Sequence, residues 1–148
     1  MASYAAQAYL EEIGRYPLLT KAQEIILGTQ VQEWIAIRDK DESLYTQAER
    51  RIAKNGKKAK DKFIKSNLRL VVNIASKYAL RCTSLDFMDL VQEGNIGLAR
   101  AVEKFDPTRG YAMSTYAYWW IRQAIQRSIQ LGDLTIRLSI GIHETTAK

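Results

Sequence analysis

Between Ser114 and Leu131 there is neither glycine nor proline, and Ile121, Ala124, Ile125, Ser128 and Ile129 recur at three- and four-residue spacing. That period lines one face of an α-helix and fits no strand, whose side chains alternate every second residue. Ser114 or Thr115 offers an N-cap, and Gly132 stands where a left-handed C-terminal cap belongs, so a helix is expected from there to Leu131. Strand signals are nearly absent from the other segments, and helical spacing recurs. The fold class expected is all-α: a compact helical bundle with an N-terminal helical arm. A length of 148 residues suits one domain, or one domain with an arm.

Tyr9, Leu10 and Ile13 begin a short helix that breaks at Gly14. Thr20 and Gln23 form a capping-box pattern ahead of Ile25, Ile26, Gly28, Val31 and Ile35, which predicts a helix to about Arg38. Residues 1–38 are read as the arm, and 39–58 as a linker. The linker holds the charge cluster Asp39 to Glu42 and a basic, glycine-containing turn at Lys54 to Lys58. From Ala59 a single helix is expected, with Phe63, Asn67, Leu70, Val71, Ile74, Ala75 and Tyr78 on one stripe. Asn67 needs a partner there, because an unpaired polar group in a core is costly; a core hydrogen bond and a base contact are both open to it.

Asp86 caps a further helix starting at Phe87, with Asp89 in the positive first turn and Leu90, Val91, Ile96, Leu98 and Val102 facing inward. Pro107 and Gly110 end that run. The main domain is read as 59–138, and 139–148 as the start of a following segment.

Charge divides the chain. Met1 to Arg50 holds eight acids and five bases, a net of −3; Arg51 to Lys148 holds eight acids and seventeen bases, a net of +9. A basic remainder points to a polyanionic partner. The single Cys82 excludes an internal disulfide, and one cysteine with one histidine, His143, leaves no zinc set. No phosphate-binding loop, nucleophile elbow or HExxH motif is present. A non-enzymatic chain without cofactor or metal is expected. With no secretion signal and no apolar run long enough to span a bilayer, a soluble, cytoplasmic setting is expected as well.

Two constellations remain. Tyr111, Tyr116, Tyr118, Trp119 and Trp120 lie among Arg109, Arg122 and Arg127. Rings beside guanidinium groups hold unpaired bases next to their phosphates. Trp119, Arg122, Gln123, Gln126, Arg127 and Gln130 share one helical face, where glutamine can read adenine and arginine can fix register on phosphates. The second is Asp89, Gln92, Glu93 and Asn95, an acidic and amide-rich face suited to a basic partner surface.

Four ordered motifs carry a family resemblance: NLRLVV at 67–72, DLVQEGNIGL at 89–98, VEKFD at 102–106 and STYAYWWIRQAI at 114–125. They resemble region 2 of the sigma-70 family of bacterial transcription initiation factors, through region 2.4, and YLEEIGRYPLLT at 9–20 is similar to region 1.2. The wording around Trp119 is most similar to cyanobacterial or plastid members.

The resemblance implies a domain that docks on the β′ clamp helices of RNA polymerase core and melts the promoter −10 element. By motif, Asp89, Gln92, Glu93 and Asn95 would face polymerase. Tyr116, with Arg109 and Tyr111, would hold a flipped adenine of the non-template strand, and Asn67 and Glu24 would line the pocket for the hexamer's last thymine. Trp119 and Trp120 would stack at the upstream fork. Gln123 and Gln126 would face the last paired base pair, with Arg122, Arg127 and Arg137 on the backbone. Met113 stands where members usually carry an aromatic, which predicts weaker strand capture; Ala112, Leu134 and Ser139 replace the usual Lys, Arg and Pro. These departures leave a second class open: a competitor or adaptor that occupies the clamp helices without melting.

Overall fold

The computed structural model describes residues 3–82 and 84–146, with side chains as far as Asp133. Among the described residues there are six α-helices and no strand: α1 (Tyr4–Ile13), α2 (Lys21–Ile35), α3 (Gln47–Ser66), α4 (Leu68–Ala79), α5 (Phe87–Lys104) and α6 (Met113–Thr146). The all-α expectation holds.

Local chemistry starts most of these helices. Thr20 accepts from the Gln23 amide at 3.2 Å while the Gln23 side chain accepts from the Thr20 amide at 2.9 Å, the reciprocal cap expected for α2. Asp86 and Asp89 cap α5 in the same way, at 2.9 and 3.3 Å. Thr46 and Glu49 repeat the device at α3, a start that the reading of 39–58 as linker overlooked.

Two corrections follow on α3. The turn expected at Lys54 to Lys58 is helix interior, because Gly56 is where the helix meets α2 rather than where the chain bends. A Cβ at Gly56 would collide with Trp34 and come within 2.9 Å of the Gln30 carbonyl. The single helix expected through Asn67 is in fact two, α3 and α4. Asn67 sits at the break with ψ near 8°, and its amide nitrogen donates to the Phe63 carbonyl at 2.9 Å.

Further along, Gly132 ends nothing. It lies inside α6, where an added Cβ would come 3.0 Å from the Ser84 hydroxyl, and the helix runs on to Thr146. Ile96, expected inward, is 49% exposed.

One apolar core joins the arm to the remainder: Leu27 and Val31 from α2 meet Phe63, Leu90, Leu98, Phe105, Ile121 and Ile125. Each such side chain contributes roughly 1.5–3 kcal/mol by leaving water. α5 and α6 also meet closely, where a Cβ on Gly97 would lie 2.6 Å from the Trp120 carbonyl oxygen and 2.9 Å from the Ala124 Cβ. Gly94, one turn earlier, admits Val71 and Ile125. On the other flank Gln32 donates to the Glu103 and Phe105 carbonyls at 2.8 and 2.9 Å, closing the C-terminal end of α5. Beside it Glu103 pairs with Lys60 at 2.6 Å and with Arg38 at 3.0 Å, tying α3, α5 and the segment after α2.

Two outcomes are expected. Gly97→Ala should lower unfolding free energy by about 1–3 kcal/mol in urea titration, because the obstruction is backbone and cannot swing aside, and this exceeds the helix-propensity gain of about 1 kcal/mol. For Glu103, partial burial acts to raise the carboxyl, but hydrogen bonds from Lys60 and Arg38 outweigh it and hold the group below its ordinary value. A depressed carboxyl stabilises the fold above its unfolded-state value and loses that effect as pH falls through the folded-state value. Glu103→Gln should therefore be less stable at neutral pH by about 1 kcal/mol, and the gap should close below about pH 4.5.

Candidate nucleic-acid interface

α6 presents its polar row as a ridge between two grooves. Trp119 stands at the crest, 62% exposed. The Arg122 guanidinium lies over its ring at 5.7 Å, and Tyr118 meets it edge-on at 5.5 Å. Arg122 and Gln126 lean toward α4, where the Tyr78 hydroxyl accepts from Arg122 Nε at 3.1 Å and from Gln126 Nε2 at 3.0 Å. The hydrogen bond to Tyr78 raises the Arg122 guanidinium above its ordinary value. Tyr78, Tyr118 and Arg122 line a cavity of about 210 Å³ that also takes in Lys77 and Arg81.

Gln123 and Arg127 lean the other way, toward α5, and share a groove with Arg100 and Trp120. The single face expected from helical spacing is thus a ridge about 140° wide whose edges belong to different grooves, since Arg122 and Arg127 sit five residues apart at 100° per residue. Sequence reasoning missed Tyr78 and Arg100. Tyr78 was legible only as the last member of an apolar stripe, although a tyrosine at a stripe's edge can bury its ring and keep its hydroxyl for a polar partner.

At the N-terminal end of α6 the rings form a half-buried cluster. Tyr111 and Tyr116 stack at 5.5 Å with planes 22° apart. Tyr116 also meets Phe105 at 6.0 Å and Trp120 at 6.3 Å, and its hydroxyl donates to the Lys104 carbonyl at 3.3 Å. Arg109 is not folded onto this cluster. It is exposed and bonds through Nε to Asp106 at 3.2 Å. The Asp106 carboxyl is held below its ordinary value by hydrogen bonds from Thr108, then by Arg109. Gly110 follows in the left-handed region, with φ of 83°.

Glu24 and Asn67 are both engaged inside the chain. Glu24 reaches from α2 to accept the Met113 amide at 3.1 Å, and so satisfies one of the free N–H groups that open α6. The Asn67 amide nitrogen donates to Phe63, with Ser66 Oγ at 3.3 Å. Met113 itself is fully buried. In this chain Met113 therefore belongs to the core, where a flexible thioether fills space, and not to the surface that a strand would meet.

The acidic face on α5 is divided as well. Asp89 closes the cap with Asp86, and Gln92 is exposed. Glu93 lines a groove with Ile96, Arg100, Arg127 and Leu131, so it faces the basic side of α6. Asn95 turns toward α1, its Nδ2 lying 3.3 Å from the Tyr9 hydroxyl, and its Oδ1 is buried with no hydrogen-bond partner. Arg137, Leu134, Ser139 and His143 fall outside the residues whose side chains are described. Among the described residues there is no group of acidic, cysteine or histidine side chains fit to hold a metal, and no helix long and apolar enough to cross a membrane.

Residues 63–131 match the family described as Sigma-70 region 2, and residues 7–35 match Sigma-70 factor, region 1.2. The chain belongs to the sigma-70 family. It is 46% identical over 140 residues to RNA polymerase sigma factor SigA4 of Synechococcus elongatus, covering 95% of this chain and 44% of that protein. It is 46% identical over 168 residues to the RNA polymerase sigma-B factor of Nostoc sp., covering 99% of this chain and 50% of the relative. RNA polymerase principal sigma factor HrdC of Streptomyces coelicolor is 43% identical over 150 residues, covering 95% and 44%. Cyanobacterial relatives fit the wording around Trp119, and a Streptomyces relative matches nearly as well. The chain spans about half the length of these sigma factors.

The Glu24 contact yields a test. Glu24→Ala should cost about 1 kcal/mol, the usual loss of an N-cap acceptor. Faster amide hydrogen exchange in the first turn of α6 should accompany it, with the remainder of α6 unchanged.

Proposed function

We propose that this sigma-70 chain is the promoter-engaging part of a non-enzymatic transcription initiation factor. It docks on the β′ clamp helices of RNA polymerase through Asp89, Gln92 and Glu93, Asn95 being turned toward Tyr9 of α1, and it captures flipped non-template bases of the −10 element. The observation that carries the reading is the exposed Trp119 under Arg122, set beside the half-buried Tyr111, Tyr116 and Trp120 cluster. A ring at the crest of a cationic ridge suits stacking where a duplex ends, with the Arg122 and Arg127 edges available to the two flanking backbones.

Magnitudes divide the work. Unstacking a base costs a few kcal/mol, and a base on an aromatic face recovers about 1–3 kcal/mol. Here the Tyr116 face is already occupied by Tyr111, a ring pair of about 0.5–1.5 kcal/mol, so capture requires Tyr111 to move aside and the net gain per base is reduced. Melting therefore draws on polymerase contacts, and the chain alone selects single strands rather than opening duplexes. Asn67 and Glu24 serve the last thymine only if their internal hydrogen bonds are exchanged for the base. That makes them a second capture point with its own threshold.

The test is a binding comparison with and without a β′ clamp-helix fragment. A TATAAT-containing non-template strand should bind the chain better than a scrambled strand. Tyr116→Ala should lose that preference, about tenfold for roughly 1.4 kcal/mol, yet keep the clamp fragment. Glu93→Lys should lose the fragment. Equal affinity for both strands overturns the base-capture reading, and retention of the fragment by Glu93→Lys overturns the docking face.

A further inference from the structure

α3 carries a cationic surface of its own. Its twenty residues hold eight bases and two acids, a net of +6. Both acids are engaged, Glu49 with Lys40 at 3.0 Å and Asp61 with Lys65 at 2.9 Å. Lys57 and Lys60 pair with Glu42 and Glu103. Arg51, Lys54, Lys58 and Lys62 are exposed, and none has an ion-pair partner among the described residues. At 100° per residue these four fall within about 80° of one another, opposite the face that buries Gly56 and Phe63, and they extend over about 16 Å.

A face that serves only to stay wet is stabilised by alternating charge at i, i+4. Lys54, Lys58 and Lys62 instead place like charges at that spacing, each pair costing a few tenths of a kcal/mol. A polyanion laid along the row relieves that repulsion. Lys62 lines a cavity with Tyr16, Leu19, Ser66 and the Asp61–Lys65 pair.

We propose that Arg51, Lys54, Lys58 and Lys62 form a track for the phosphate backbone of nucleic acid, separate from the α6 ridge. The inference rests on the nucleic-acid reading given above. Lysine predominates, and lysine meets phosphate as a point charge without bidentate geometry. No ring lies in the row to stack on a base. The contact is thus independent of sequence: it adds affinity and salt dependence and leaves base preference to α6. Steps of four residues, about 6 Å, place successive lysines within reach of neighbouring phosphates of one strand.

The experiment replaces all four residues with glutamine in the full chain. Glutamine is a good helix former, and removal of the repulsion should leave the thermal midpoint unchanged or raised. Binding of a short labelled strand without TATAAT, and of the matching duplex, is titrated across salt concentrations. The slope of log K against log salt should fall by about 2–3 in magnitude, from about 0.7 per single-strand phosphate contact. The variant's preference for TATAAT over scrambled strand should persist. Whichever probe shows the reduced slope identifies the strand form that the track holds.

An unchanged slope with both probes overturns the track. So does an unchanged slope accompanied by loss of polyglutamate binding, which assigns the row to an acidic protein surface. A reduced slope in a chain whose wild type shows no TATAAT preference sinks base capture and leaves the track standing. A wild type that binds neither probe overturns both.

Discussion

The approach of α5 to α6 at Gly94 and Gly97 is the constraint on which the surface chemistry depends. With no Cβ at either position, the α6 backbone at Trp120 comes within reach of α5, and Ile121 and Ile125 sink into the core. That depth fixes the rotation of α6. Met113, Ala117, Ile121 and Ile125 all point inward and are fully buried. The opposite ridge is thereby raised into solvent, with Trp119 at its crest. Helices kept apart by two methyl groups would still bury their isoleucines poorly and would tilt the ridge; close packing transmits such changes because the interior has little slack.

Polar ties then set the details that packing leaves free. Tyr78 holds Arg122 and Gln126 together from α4, Glu24 closes the first turn of α6 from α2, and Gln32 closes the last turn of α5. Each donates to or accepts from a group that would otherwise face the edge of the core unpaired, where a missing partner costs about 1–3 kcal/mol. The Glu24 and Gln32 bonds connect the part matching region 1.2 to the part matching region 2. A change in the arm therefore reaches the ring cluster by a short route of hydrogen bonds.

Much of the fold was legible because helix starts leave strong local signals. Thr20 with Gln23 and Asp86 before Phe87 announced their helices through side chains that satisfy free amides. What stayed hidden was pairwise. Gly56 reads as a bend in isolation and becomes a packing site only once Trp34 is opposite it. Gly132 reads as a stop until Ser84 lies against it. Asn67 joined a stripe by spacing, while its hydrogen bond to Phe63 marks a break. At the candidate interface the residue types were readable, but not which groove each faces: Glu93 and Arg127 looked like members of separate surfaces and share one. Trp119 is open while Tyr111, Tyr116 and Trp120 are half-buried, Tyr111 and Tyr116 covering one another.

The meeting of Gly56 with Trp34 carries a consequence for how chain length can vary in this family. That contact pins α3 at one azimuth. A single inserted residue C-terminal to it would turn everything beyond by about 100°, swinging Lys58 and Lys62 off the outer surface and Phe63 out of the core. Insertions in the stretch 36–46 between α2 and α3 leave the azimuth untouched, since the helix restarts at its own Thr46 cap. Natural length variation should accordingly accumulate ahead of Thr46 and be excluded from the helix behind it, whatever the inserted sequence.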